Sequence, residues 1–375
     1  MNAFRIITGF DGACPFSDAG VTAHADGTFE VRPSWRSAPG ISEEAVGGGS
    51  RFSIRVENLS GQTDTFRCHV NWEDSRKIRL RFHDWVFVLF PNAADWILYP
   101  AELGEAGATI AVPLPPGLTH IGTSPEYGHG KAVGYLKSKA GLFGAAYSSI
   151  GTSEEGREIP LLKVDDPEGW TKKEDVLYMG CNHAYESAGS YCAEGMLDWL
   201  LSPAPEARYF RSKYRFHFLP MTNPDGVHNG LSRLTAPQGA DLNRSREQND
   251  AAWRALKAYI DAVQPTMMLN VHHWMSKTRD GLLANTEAHA EKFKKLMPDL
   301  HEDGHYWEVE WTDKALQHAQ RNTLSEADAS WKDYVRHAFN GTGLTLEFPW
   351  FNRNTARMRE IGRKALIAFL MADRF

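Results

Sequence analysis

From about residue 125 onwards the chain alternates between two kinds of pattern. "IPLLKV", "DVLYMG", "YRFHFLPM", "TMMLNV" and "GLTLEF" are short apolar runs of strand length. "GKAVGYLKSKAGLF", "SYCAEGMLDWLLS", "EQNDAAWRALKAYIDAVQ" and "ARMREIGRKALIAFLMADRF" have helical spacing instead. Strands alternating with helices bury both faces of a sheet, which predicts an α/β fold: a mixed, mostly parallel sheet with helices on both faces. In such sheets ligands bind at the carboxyl ends of the strands. A search for function therefore starts where these runs stop.

The first third lacks the helical pattern. "GTFEVRPSW", "RFSIRVENL", "TDTFRCHVNW", "KIRLRFHDWVFVLF" and "ATIAVPL" are alternating or apolar runs separated by Gly, Asn, Asp and Pro clusters. Short strands at this spacing predict an antiparallel β-sandwich. We divide the chain into an N-terminal sandwich domain, residues 1–124, and an α/β domain, residues 125–375. No histidine–carboxylate grouping stands out in the first domain, which reads as a packing or recognition module.

Charge narrows the function class. The formal net charge is −6, with acidic and basic residues interspersed, which argues against a nucleic-acid groove or a polybasic membrane surface. The start, "MNAFRIITGFDGACPFSD", has no basic region followed by a continuous apolar one, and no stretch approaches the ~20 apolar residues of a membrane span. Cys14, Cys68, Cys181 and Cys192 contain no CxxC pair and read as buried or free thiols. A cytoplasmic globular protein is the expectation.

Chemistry gathers at the strand ends. "DVLYMG" runs straight into "CNHAYES", which puts His183 and Glu186 on a strand-to-helix turn. "TMMLNV" ends at His272 and His273, and "GLTLEF" carries Glu347 near its end. Two histidines and a carboxylate, with one open position, are a standard catalytic zinc set. Strand alternation places His272 on the face of Asn270 and His273 on the face of Leu269 and Val271, so His272 is preferred as third ligand. Alone, the HxxE spacing is weak, because fifteen histidines make one such pair easy to meet by chance. His217, between phenylalanines, reads as a satisfied core histidine, and "FPWF" as packing. The stretch "NPDGVHNGLSRLTAPQGADLNRSRE" is long, turn-rich and carries Arg233, Asn243 and Arg244. It is either a solvated surface loop or a carboxylate-binding one, since arginine offers a planar fork of donors.

Together these pieces resemble the zinc metallocarboxypeptidases. "GTSEEGREIPLLKV" resembles the opening of that family's catalytic domain, "HAYE" its zinc pair, and "TNPDG" with "GADLNR" its substrate-binding segment. "VHHW" resembles its third-ligand strand and "TLEF" the strand with its catalytic glutamate, in the same order. The interval of 89 residues from His183 to His272, and a β-rich module ahead of the catalytic domain, are most similar to the cytosolic carboxypeptidases. The resemblance implies one zinc per chain on His183, Glu186 and His272, with Glu347 as general base and acid. It implies Arg233 at the scissile carbonyl, Asn243 and Arg244 on the terminal carboxylate, and a peptide or protein C-terminus as substrate. Removal of acidic residues such as glutamate is implied by the subfamily alone.

Two departures stand out. Tyr185 precedes Glu186 where pancreatic enzymes carry arginine. The family's mobile tyrosine is missing from "TLSEADASW", which leaves Tyr334 as a substitute to test, and Asp241 is a candidate to orient a ligand histidine. Two rivals remain open: a zinc deacylase of N-acyl amino acids, similar to aspartoacylase, and a non-catalytic binding protein.

Overall fold

The computed structural model describes residues 3–14, 16–33, 51–71, 84–104, 107–274, 278–311 and 329–372. Its first part holds β1 (Phe4–Ile7), β2 (Phe16–Ala23), β3 (Phe29–Pro33), β4 (Ser53–Asn58) and β5 (Asp64–Asn71). These are followed by β6 (Trp85–Leu89), β7 (Ile97–Leu103), β8 (Gly107–Leu114) and β9 (Gly117–Gly122). The nine form one sheet in the order β1-β4-β9-β6-β7-β8-β5-β3-β2. Neighbours pair antiparallel except β3 and β5, which are parallel. Alternation supplies the core: Val56 of β4, Phe66 of β5, Val88 of β6, Ile110 of β8 and Ile121 of β9 lie in one buried cluster. Residues 77–83 of the expected strand "KIRLRFHDWVFVLF" lie outside the described residues.

The second part is built on eight strands: β10 (Ala145–Thr152), β11 (Glu158–Val164), β12 (Glu174–Gly180), β13 (Tyr214–Leu219), β14 (Met267–His272), β15 (Asp280–Ala284), β16 (Trp307–Trp311) and β17 (Thr342–Glu347). Their order is β10-β11-β13-β12-β14-β17-β15-β16. The centre is parallel, with β12 paired to β13 and β14, and β14 to β17. Antiparallel pairing enters at β10, β11 and between β15 and β17.

Helices α1 (His129–Lys139), α2 (Ser187–Leu200), α3 (Pro205–Lys213), α4 (Pro224–His228), α5 (Ala251–Val263), α6 (Glu287–Leu296), α7 (Trp331–Phe339) and α8 (Thr355–Ala372) complete the described fold. They cover both faces of the sheet. Val176 and Tyr178 of β12 face a core shared with Met196 of α2, Phe293 of α6 and Leu366 of α8. Leu177 and Met179 of the same strand face a second core with Leu256 of α5 and Val335 of α7. That is the mixed sheet between helical layers that the alternating pattern predicts.

Local signals place the helices. Asp250 accepts from Trp253 N to cap α5, and Ser330 with Asp333 forms a capping box at α7. The two parts are packed together: Trp85 meets Phe351 at 4.9 Å, and Phe87 meets Trp350 at 6.0 Å.

Candidate active site

β12 ends at Gly180, and Cys181 takes a left-handed φ of +54°, which turns the chain out of the sheet before α2 starts at Ser187. His183 and Glu186 fall in this turn, as the sequence predicts. His272 is the last residue of β14, and its register partner is Glu347, the last residue of β17. Two neighbouring parallel strands thus deliver a histidine and a glutamate side by side at their carboxyl ends.

Each of His183, Glu186 and His272 offers one ligand atom within 4.8 Å of the others, and all three are buried. The Glu186 carboxylate lies between the imidazoles, with Oε1 2.7 Å from His183 Nδ1 and Oε2 2.7 Å from His272 Nδ1. Burial alone would raise the Glu186 carboxyl, but the two imidazoles outweigh it and hold it well below the usual range. Two ring nitrogens and a carboxylate converging from one turn and one strand end suit a tetrahedral zinc with its fourth position open. His183 Nε2 lies 3.2 Å from Asp241 Oδ1, so this carboxylate orients the ring. His273 faces elsewhere, with its ring 5.7 Å from that of Tyr185.

The loop between β13 and α5 supplies the rest. Asn223 Oδ1 accepts from Gly226 N and caps α4, while its Nδ2 donates to the carbonyls of Asn182 and Arg233. That one side chain ties the metal turn to the segment carrying Arg233. Asn182 Nδ2 adds a second tie by donating to Leu242 O. The Arg233 guanidinium donates to Asp241 Oδ2 at 2.8 Å, and Glu186 adds to the negative potential around it. The Asp241 carboxyl, which burial alone would raise, is held far below its ordinary value by His183, Arg233 and Arg244. Asn243 Oδ1 accepts from Asn270 Nδ2 at 3.1 Å. Trp253 Nε1 fixes the carbonyl of Arg244.

The Glu347 carboxyl is pushed well above its ordinary value by burial and by the negative Glu186, with Trp274 and Arg233 opposing. Its Oε2 is buried with no hydrogen-bond partner. A raised pKa makes its carboxylate a stronger base than an ordinary one. Gly281 makes room for it: a Cβ there would lie 2.8 Å from both Glu347 Cβ and the Trp274 ring.

All seven sequence-predicted residues lie on these converging strand ends and loops. Asn270 and Trp274 were not predicted as site residues, although period-2 alternation from His272 reaches Asn270. Tyr334 lies on α7, with its hydroxyl donating to Asp261 Oδ1 at 2.6 Å and its ring against Trp331 and Phe339. None of these partners belongs to the metal group, so Tyr334 does not take the place of the family tyrosine. Most of "TLSEADASW" lies outside the described residues. His217 is the satisfied core histidine expected, held by Tyr259 at 2.7 Å and Asp175 at 2.8 Å. Trp350 of "FPWF" packs on Phe87 and Tyr191 and donates to Ser187 Oγ.

Comparisons with known proteins point to one family. Cytosolic carboxypeptidase 6 of Mus musculus is 36% identical over 98 residues, 25% of this chain and 18% of that protein. Cytosolic carboxypeptidase 1 of Danio rerio is 41% identical over 105 residues, 26% of this chain and 9% of that protein. The matched region thus spans less than a fifth of these relatives' length. Among solved structures, a metallo-carboxypeptidase from Burkholderia cenocepacia superposes with a TM-score of 0.78 at 20% identity, covering 99% of both chains. One from Pseudomonas aeruginosa, in complex with (2-guanidinoethylmercapto)succinic acid, superposes at 0.74 and 16% identity, covering 98% of this chain and 99% of that one. At such identities the likeness speaks for the fold. The zinc carboxypeptidase profile matches residues 144–354, more than half of the chain and all of the strand ends just described, and the chain belongs to that family.

Proposed function

We propose that this protein is a zinc-dependent carboxypeptidase that hydrolyses the C-terminal peptide bond of peptides or protein tails. The observation that carries the reading is the His183–Glu186–His272 group with Glu347 beside it at the next strand end. His183, Glu186 and His272 would hold the zinc, and Asp241 keeps the His183 ring in place. A zinc ion bound there would supply Lewis-acid chemistry and lower the pKa of water at the site towards neutrality. Glu347 accepts the proton of the attacking water and returns it to the leaving amine. Arg233 donates to the developing oxyanion, a contribution of ~2.7–4 kcal/mol per donor in comparable sites. Arg244 and the Asn243 amide bind the terminal carboxylate and make the enzyme an exopeptidase.

The reading includes a sandwich domain, antiparallel but for the β3–β5 pair, at residues 1–124, a catalytic domain at 125–375 and a cytoplasmic location. Support for that location is the naming of the relatives as cytosolic carboxypeptidases; separately, no helix among the described residues is long and apolar enough to cross a membrane. The implied preference for acidic C-terminal residues gains no support from the row below the catalytic residues. Asn270, Thr345, Leu283 and Glu310 pair in register across four strands and contribute a carboxylate but no cation.

The test compares a peptide with a free C-terminus and the same peptide ending in a carboxamide. The free acid is expected to be cleaved far faster, and Arg244→Ala to erase most of that difference. Equal rates on acid and amide would remove Arg244 from the site and the carboxypeptidase reading with it.

A further inference from the structure

The N-terminal sheet reaches the metal turn through one buried cation. Arg51 lies two positions before β4, next to the buried Phe52 and Ser53, and Ser53 O accepts from Cys14 N. The Arg51 side chain runs out of that core into the second part of the molecule and is only 7% exposed. Its Nη1 lies 3.4 Å from Ala184 O and 3.3 Å from Val227 O. Ala184 sits between the ligands His183 and Glu186. Val227 belongs to α4, which opens the segment leading to Arg233. A buried guanidinium needs acceptors for its donors, and these two carbonyls are acceptors on the two segments whose spacing the site depends on.

The surroundings match a built contact. Gly230 has a φ of +66°, and a Cβ there would come within 1.7 Å of Ala13 O, so only glycine lets the loop after β1 lie this close. Gly12 N donates to His228 O, and His228 Nδ1 lies 3.2 Å from Asp11 Oδ1. Within the turn, Glu186 N bonds His183 O and Tyr185 N bonds Ser232 O. The Ala184 carbonyl, between them, is where Arg51 arrives.

We propose that Arg51 is a positioning residue of the metal centre: it bridges Ala184 O and Val227 O, and so sets the spacing of His183 and Glu186 from the substrate-binding loop. The N-terminal sheet is on this account a structural part of the metal site. The proposal rests on the zinc reading above.

The experiment measures the zinc dissociation constant of the full chain by competition with a chromophoric chelator, for wild type, Arg51→Met, Arg51→Lys and Asp11→Asn. Near-UV circular dichroism reports folding. Arg51→Met fills similar space without donors and is expected to fold while binding zinc about 10–100-fold more weakly, the usual cost of losing support for a ligand. Arg51→Lys keeps the charge but not the fork, and is expected to lie between. Asp11→Asn loosens the same interface and removes one charge that favours the Arg51 cation, but leaves both carbonyl bonds of Arg51 in place, and is expected to bind zinc as wild type does. Zinc affinity within about twofold of wild type in folded Arg51→Met overturns the proposal. An equal loss in Asp11→Asn also overturns it, because the effect would then be general loosening. If Arg51→Met does not fold, Arg51→Lys decides, and wild-type affinity there overturns the proposal. A wild-type protein that binds no zinc would refute the metal reading itself, a distinct result.

Discussion

At the scale of single residues, the site depends on which atom faces which neighbour. His272 and His273 differ by one position on a strand, and that position decides whether the imidazole meets Glu186 or Tyr185. Zinc content by elemental analysis should therefore collapse in His272→Ala and survive largely in His273→Ala. The reverse outcome would mean that the register of β14 is off by one. Glu347→Gln keeps the shape and removes the base, so zinc and fold should remain while kcat falls by about 10²–10⁴. Near-normal turnover would place the base elsewhere. Gly281 gives a subtler test. A methyl group there collides with Glu347 Cβ and the Trp274 ring, each at 2.8 Å. Gly281→Ala should retain zinc and lose on the order of 10²-fold in kcat, because small displacements of a catalytic group are costly. A wild-type kcat would show that Glu347 tolerates the shift.

Elements are held by local signals and by burial together. α6 begins at the cap formed by Thr286, whose side chain accepts from His289 N. His289 is buried on that helix with its ring 6.2 Å from Phe369. Burial first, then the nearby Lys292 and Arg336 cations, lower its pKa to about 4 from an ordinary 6.5. The folded protein therefore holds His289 neutral through a pH range in which the unfolded chain protonates it. Its contribution is complete above ~6.5 and is lost as pH falls towards 4, in all about 3 kcal/mol at ~1.36 kcal/mol per unit. Urea unfolding of wild type and His289→Leu, at about pH 7 and about pH 4.5, should show a smaller acid loss in the variant. Identical losses would assign the acid sensitivity to other groups. On the same face of the sheet, α2 and α8 approach through glycines: a Cβ at Gly362 would lie 2.3 Å from Cys192 O.

For the molecule as a whole, the two parts share contacts that a pair of independent domains would not need. Asp95, in the loop between β6 and β7, caps α8 some 260 positions later. Its Oδ1 accepts from Thr355 N and Oγ1, and its Oδ2 from Ala356 N. Asp95→Ala should lower the stability of the whole chain by about 1 kcal/mol, the usual cost of a lost helix cap. It should do so in a single transition seen alike by far-UV circular dichroism and tryptophan fluorescence. A change confined to one probe would mean that the two parts unfold separately.

The sequence by itself determined the α/β arrangement of the second part and the strand ends that matter, and it nominated the metal set. Long periodic segments such as Ala251–Val263, and apolar runs such as Met267–His272, declare their state locally. Strands β10 and β16 do not. Ala145–Thr152 is small and polar, and Trp307–Trp311 alternates tryptophan with charge at a sheet edge, so pairing partners rather than composition make them strands. The first part, read as antiparallel throughout, contains one parallel pair, β3 with β5, which alternation along a strand cannot reveal. Tertiary structure brought together what the sequence could only nominate, His272 with Glu186 and Asp241 with His183, and it alone decided that Tyr334 turns to Asp261. It also decided that Arg51 reaches Ala184 across 133 positions. Side-chain chemistry and period are written along the chain, whereas the meeting of residues far apart in sequence depends on how sheets pair and layers pack.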